Sequence, residues 1–383
     1  MFEALIQFIR QQYSSDAFIP LHAPVFAGRE QEYVNDTIAS TFVSSVGAYV
    51  DRFERDMAAY TGSPRAVATV NGTAALHIAL RLAGVEPGEL VITQPLTFVA
   101  TCNAIAYCSA EPLFIDVDRD TLGLSPSALE EWLVDNARVG DDGLCRTGNG
   151  QVIRACVPMH TFGHPADLDG LLRVCRRWHL VLVEDAAESL GSFYKGRHTG
   201  TFGELGTLSF NGNKIMTTGG GGMILAGEAL GARAKHLTTT AKQAHPYEYV
   251  HDEVGYNYRL PNLNAALGCA QLEQLEAFIA SKRQLAGRYA EYFKGGDLQF
   301  VSEPPDCRSN YWLNAVICAD REQRDALLAA TNNAGVMTRP IWALMNRLPI
   351  YAHCQKGKLV NAEWLEARVV NLPSSVLPEM HNI

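Results

Sequence analysis

The chain has 383 residues, a net charge of −9 and a pI near 5.7, with 47% hydrophobic and 19% charged residues and a mean hydropathy of −0.04. That is the balance of a folded, soluble chain with ample core, long enough for two domains or one large domain with a smaller attachment. The acidic excess argues against nucleic acid or an anionic membrane as the main partner, while leaving room for a local basic pocket that takes a small anion.

In chain order, Met1–Arg10 reads as an amphipathic helix and lacks the basic start and long apolar centre of a signal peptide. Residues 1–40 are expected to hold two helices around the loop Pro20–Gly28, forming an N-terminal arm that packs with a small domain. Val50, Phe53, Met57 and Tyr60 recur at helical spacing, and that helix ends at Gly62. A short strand, Ala66–Val70, then breaks at Asn71-Gly72-Thr73 and passes into a helix over Ala74–Gly84. Further strands are expected at Leu90–Thr93, Pro112–Val117, Ala155–Met159, Leu180–Glu184, Thr207–Phe210 and Met223–Ala226, with helices at Val99–Cys108, Ser127–Asp135 and Leu168–Trp178. Several strands are continuous apolar runs, as in a mainly parallel sheet covered on both faces; ligands of such a sheet bind beyond the carboxyl ends of its strands. Val139–Gln151, rich in Gly and Asp, reads as a surface loop. After Asp252 the texture shifts to two long helices (Leu263–Phe278 and about Ser281–Phe293), a strand near Tyr311–Ile317 and a helix at Arg321–Ala334. The organisation expected is an arm over 1–40, a large domain over 41–250 and a small α+β domain over 251–383.

No apolar segment reaches the roughly 18 uncharged residues that a membrane helix needs. The nine cysteines are odd in number and contain no CxxC, as expected of reduced thiols in the cytoplasm. His160 and His164 have metal-like spacing, but Gly163 and Pro165 break any helix there and no carboxylate is suitably placed, so no metal is expected. The run Gly219–Gly222 precedes a strand and lacks a following GK[ST], so it is not a nucleotide fingerprint.

Four features converge on one chemistry. The Asn71-Gly72-Thr73 junction opens a helix whose free N–H groups suit a phosphate, although plain N-capping by Asn71 or Thr73 is the alternative. Phe98 stands at a strand exit. Asp185 ends a buried strand and is followed by two alanines, with a simple loop cap as its alternative. Lys214 sits in a small-residue loop five residues after Ser209 and ahead of the glycine run; a solvated hairpin lysine is the alternative there. Pyridoxal phosphate asks for these groups together: N–H groups and hydroxyls for its phosphate, an aromatic face for its ring, a carboxylate for its pyridine nitrogen and a lysine for its aldehyde.

The segments Asn71–Leu80, Glu184–Gly191, Ser209–Lys214, Gly219–Gly222 and Gly255–Ala266 resemble the signatures of the DegT/StrS-type nucleotide-sugar aminotransferases, from about Pro20 onward. The resemblance implies the α/β architecture of fold-type I pyridoxal-phosphate transferases, with a mainly parallel sheet, helices on both faces and a smaller α+β C-terminal domain. It implies Lys214 as the Schiff-base lysine and proton shuttle, and Asp185 as the partner of the pyridine nitrogen. Phe98 would stack on the ring, and Gly72, Thr73 and Ser209 would hold the phosphate. Glu188 would stand near the ring hydroxyl, where many relatives have Gln; a carboxylate facing a phenolate is unfavourable unless one is protonated. His160 would meet the ring region or pack in the core. In a homodimer, Asn257 would reach the phosphate from the partner subunit, with Arg259 nearby.

Thr41–Gly47 and His160–Pro165 are most similar to a narrower group that aminates C4 of UDP-linked 4-keto-6-deoxy-N-acetylhexosamines, on the way to legionaminic-acid-type or bacillosamine-type surface sugars. Glutamate is the amino donor by resemblance. A C3 aminotransferase and a sugar dehydratase are the rivals within the family, and dehydratase relatives typically carry histidine in place of the lysine. A non-catalytic binding protein is the rival outside it. Arg308, Arg339 and Lys242 read as solvated charge, and Tyr311, Trp312 and Trp342 as core, with contacts to a diphosphate, sugar or base as the alternatives.

Overall fold

A computed structural model describes residues 2–379. At its centre is a nine-stranded sheet. Its main path crosses Arg65–Thr69, Gly222–Ala226, Leu205–Ser209, Val181–Asp185, Val152–Val157, Leu90–Thr93 and Glu111–Phe114. Gly222–Ala226 runs antiparallel to both of its neighbours, and the pairings from Leu205–Ser209 to Glu111–Phe114 are all parallel. The apolar runs are buried on both sides as their composition requires. Val67, Val91, Val183 and Ile224 pack with the helices Gly72–Leu82, Val99–Tyr107 and Glu228–Thr238 on one face. On the other face Leu90, Ile92 and Leu182 meet Pro126–Asn136 and Leu168–Trp178, while Ala66, Ala68 and Met223 meet Ala48–Thr61 and the start of a long helix. The parallel strands therefore point their carboxyl ends to one edge, where Thr69, Asp185 and Ser209 lie.

Two expectations are corrected. The stretch Val139–Gln151, read as one surface loop, begins on the last residue of strand Ala137–Val139 and contains strand Cys145–Thr147; the two pair and extend the sheet. The turn between them is an Asp142-Gly143 hairpin in which Gly143 takes φ +77° and Asp142 holds Arg146 at 2.7 Å, a short-range signal hidden in a Gly- and Asp-rich stretch. The two long helices are one, Asn262–Phe293, of 32 residues. No proline interrupts it, and its buried stripe continues through Leu275, Phe278, Ile279, Leu285 and Tyr289. Its first half packs on Glu30–Ser40 and Ala48–Thr61; its second half meets Leu5, Ile6 and Ile9 of the helix Glu3–Tyr13. The latter contacts also include Val316 and Val370 of a second, four-stranded sheet. Among the described residues, no helix is long and apolar enough to cross a membrane.

That long helix carries Lys282, whose side chain is completely buried and whose Nζ donates to the Ser374 carbonyl. Burial lowers its pKa from 10.5 to about 7. Between those values the unfolded chain binds a proton that the folded chain does not, so stability must rise as pH climbs from about 7 to about 10.5. Lys282→Met removes this contribution. Chemical denaturation across that window is expected to show wild type gaining on the variant by up to about 1.4 kcal/mol per pH unit, and parallel pH profiles would refute the assignment.

Candidate active site

The loop that carries Lys214 is held at both ends by the antiparallel strands Leu205–Ser209 and Gly222–Ala226. The Phe210 amide donates to the Gly221 carbonyl and the Thr218 amide to that of Phe210, at 2.8 and 3.0 Å. Gly222 is required by proximity: a Cβ there would stand 2.5 Å from the Asn71 backbone. The glycine run thus lets the lysine loop press against the strand–helix junction at Asn71. At that junction the structure shows the N-cap and leaves the helix end open. Asn71 Oδ1 caps the helix by accepting from the Ala74 amide at 2.8 Å, and the Ala75 amide closes on the Asn71 carbonyl. The amides of Gly72 and Thr73, which precede these, keep the positive helix end free for an anion. Gly72 is the second close approach, since a Cβ there would meet Ser209 Cβ at 2.8 Å.

Beyond the carboxyl edge of the sheet opens a cavity of about 320 Å³, and Gly72, Thr73, Phe98, Asp185, Glu188, Ser209 and Lys214 all line it. Phe98, just before the helix Val99–Tyr107, is 50% exposed, leaving an aromatic face free. Asp185 is buried at the end of its strand. Its Oδ2 accepts from Thr101 Oγ1 at 2.7 Å and its Oδ1 from the Ala187 amide at 3.2 Å. Thr97 and Thr101 share a hydroxyl contact of 2.8 Å, so a short relay fixes the carboxylate from behind. Lys214 Nζ lies 3.3 Å from Glu188 Oε1 and 4.2 Å from the centre of the Trp312 ring. Glu188 is buried, and Oε2 accepts from the Phe162 amide at 2.9 Å. Burial pushes its carboxyl up from the ordinary value, although Lys214 and the Phe162 amide pull the other way.

The donor set fits pyridoxal phosphate: a glycine-lined helix end with two hydroxyl residues for the phosphate, an open aromatic face, a buried oriented carboxylate and one amine, all around one cavity. Three further residues stand outside this cavity, of which Asn257 and Arg259 are expected to serve a partner subunit's site. His160 is fully buried and is not among the lining residues. Its Nδ1 accepts from the Ala166 amide at 3.1 Å, so Nε2 carries the hydrogen and donates to Glu184 Oε2 at 3.0 Å. Burial opposes ionisation of Glu184, but His160 and the amides of Gly203 and Gly200 hold its pKa below the ordinary value. This pair is a strut beneath the Asp185 strand end. Asn257 and Arg259 bond to each other at 3.0 Å, and Arg259 lines a separate surface cavity with Lys235, Lys242 and His245.

Thr101, Trp312 and Trp342 are among the lining residues that the motifs do not cover. Thr101 was readable only as the residue one helical turn beyond Phe98. Trp312, whose Nε1 donates to the Asn213 carbonyl at 2.7 Å, and Trp342 enter from beyond residue 300 and serve as core and cleft wall together.

Comparison with known proteins agrees with this geometry. A family model described as the DegT/DnrJ/EryC1/StrS aminotransferase family matches residues 25–382. The chain is 35% identical over 366 residues to the GDP-perosamine synthase of Escherichia coli O157:H7, covering 95% of each chain. It is 34% identical over 364 residues to that of Vibrio cholerae, covering 93% of this chain and 94% of the relative. Among solved structures, the aminotransferase TlmJ from Streptoalloteichus hindustanus superposes with a TM-score of 0.84 at 28% identity, over 94% of each chain.

Proposed function

The chain belongs to the DegT/DnrJ/EryC1/StrS aminotransferase family, and on that premise we propose that it moves an amino group from glutamate to C4 of a nucleotide-linked 4-keto-6-deoxy sugar. The observation that carries this reading is the single amine, Lys214, set between the buried carboxyl of Glu188 and the Trp312 ring in the cavity that Asp185 also lines.

The family's aminotransferases use pyridoxal 5′-phosphate, which when bound supplies an aldehyde to carry the nitrogen and a ring that accepts electrons released from carbon. Gly72, Thr73 and Ser209 would hold its phosphate, Phe98 would cover its ring and Asp185 would face its pyridine nitrogen. Lys214 Nζ takes the proton from the donor Cα and returns it on the other side of the transfer; in the second half the same amine works in reverse on the sugar. Glu188, whose pKa burial raises while Lys214 and the Phe162 amide oppose the shift, would face the ring hydroxyl.

The partner reading is a homodimer. It is supported by the exposed apolar side chains Val46, Tyr247, Tyr249 and Val254, of which the last three are more than 80% exposed. The nearby Asn257–Arg259 pair fits the expected reach into a partner's site.

For the acceptor, the relatives' names favour a GDP-linked sugar. A UDP-linked N-acetylhexosamine is the second reading, and it rests on the phrases Thr41–Gly47 and His160–Pro165. A panel of GDP-, UDP- and dTDP-linked 4-keto-6-deoxy sugars with glutamate, read by product mass and by NMR at the aminated carbon, tests both. The expected result is a C4 amine on the GDP-linked sugar. Amination at C3, or of none of these sugars, would refute the reading.

A further inference from the structure

A second cavity, of about 450 Å³, adjoins the one that holds Lys214 and shares Asn213, Trp312 and Trp342 with it. Its polar lining is His22, Asn213, Arg339 and Asn371 beside the two tryptophans. Arg339 and Asn371 are direct partners across the antiparallel strands Arg339–Pro340 and Val369–Leu372, so their side chains leave the same face of that sheet. Asn371 Nδ2 is buried without a hydrogen-bond partner, and so are both ring nitrogens of His22, which enters from the N-terminal arm. Burial first, and then the charges of Lys282 and Lys214, hold the His22 imidazole well below its ordinary pKa. It is therefore a neutral ring with one N–H to give, in a positive field. Arg339 is exposed and makes no ion pair among the described residues, and no carboxylate lines the cavity.

Buried donors without acceptors are costly, and two of them, Asn371 Nδ2 and the His22 N–H, with the unpaired guanidinium of Arg339 on the same space beside a reacting amine, ask for an oxyanion. We propose that this cavity is an oxyanion subsite of the transamination cleft, holding the carboxylate or phosphate of a reactant whose reacting carbon lies at Lys214 and whose body crosses Trp312 and Trp342. The inference rests on Lys214 as the reacting amine and deepens the reading above. The oxyanion has two sources: the far carboxylate of a dicarboxylic amino donor and the phosphate of the nucleotide sugar. A guanidinium and an amide side by side match the paired oxygens of either.

The test reads the intrinsic fluorescence of Trp312 and Trp342 in the holoenzyme, titrated separately with glutarate and with GDP, neither of which can be transaminated. Wild type should give a saturable change with at least one of them. Arg339→Gln, at an exposed position, and His22→Phe should each weaken that binding on the order of 10-fold or more while retaining the cofactor's visible absorbance. A response to glutarate assigns the subsite to the amino donor; a response to GDP assigns it to the sugar phosphate. The proposal is overturned if neither ligand gives a saturable change, or if both variants bind as tightly as wild type. Because no turnover is involved, failure of every keto sugar in the product assay would leave this result standing.

Discussion

Lys214→Ala is expected to lower transamination by at least about 10³-fold, since in the proposed reaction one amine both engages the cofactor and moves the proton. No neighbour can replace it. Glu188 is the nearest titratable group, and burial raises its pKa while its second oxygen is committed to the Phe162 amide. The fold should survive, because Lys214 reaches across the cavity and its loop is pinned by backbone bonds at Phe210 and Thr218. The variant should lose the yellow absorbance of the wild-type holoenzyme, and added small primary amines should restore part of the rate. Turnover within about 10-fold of wild type would remove Lys214 from the chemistry.

Asp185→Asn is expected to cost roughly 10²–10³-fold in kcat with little change in KM, as for removal of one oriented electrostatic partner of a developing charge. The substitution keeps the volume, and its remaining oxygen can still accept from Thr101 or the Ala187 amide. What disappears is the negative charge at the end of the Val181–Asp185 strand. Both half-reactions, followed separately by stopped-flow absorbance, should slow together, because electron uptake by the ring is common to both. Slowing of only one half would point instead to a substrate contact.

The groups most legible from sequence were those whose neighbours are local. Asn71-Gly72-Thr73 shows a helix start by its own pattern, Asp185 shows a strand end after an apolar run, and the lysine loop is marked by small residues and glycine. Thr101 carries no signal of its own, and Trp312 and Trp342 read as core from sequence, because what brings them to the cavity is packing between segments far apart in the chain. His160 illustrates the reverse: a polar residue on the strand-exit rim whose side chain turns inward to satisfy the buried Glu184. The same distinction bears on the nucleotide. Thr41–Gly47 is mostly surface chain, and in the 160–165 segment His160 meets Glu184 while His164 packs edge-on against Tyr311. Neither segment lines the cavity around Lys214, so the UDP reading rests on the resemblance of these phrases and not on a contact within that cavity.

The most direct measurement is borohydride reduction of the holoenzyme, followed by proteolysis and mass mapping of the cofactor-bearing lysine. The cofactor mass is expected on the peptide that contains Lys214, and its yield should fall when Asp185 or Gly72 is replaced. Cofactor mass on any other lysine would contradict the assignment of this cavity as the site of transamination.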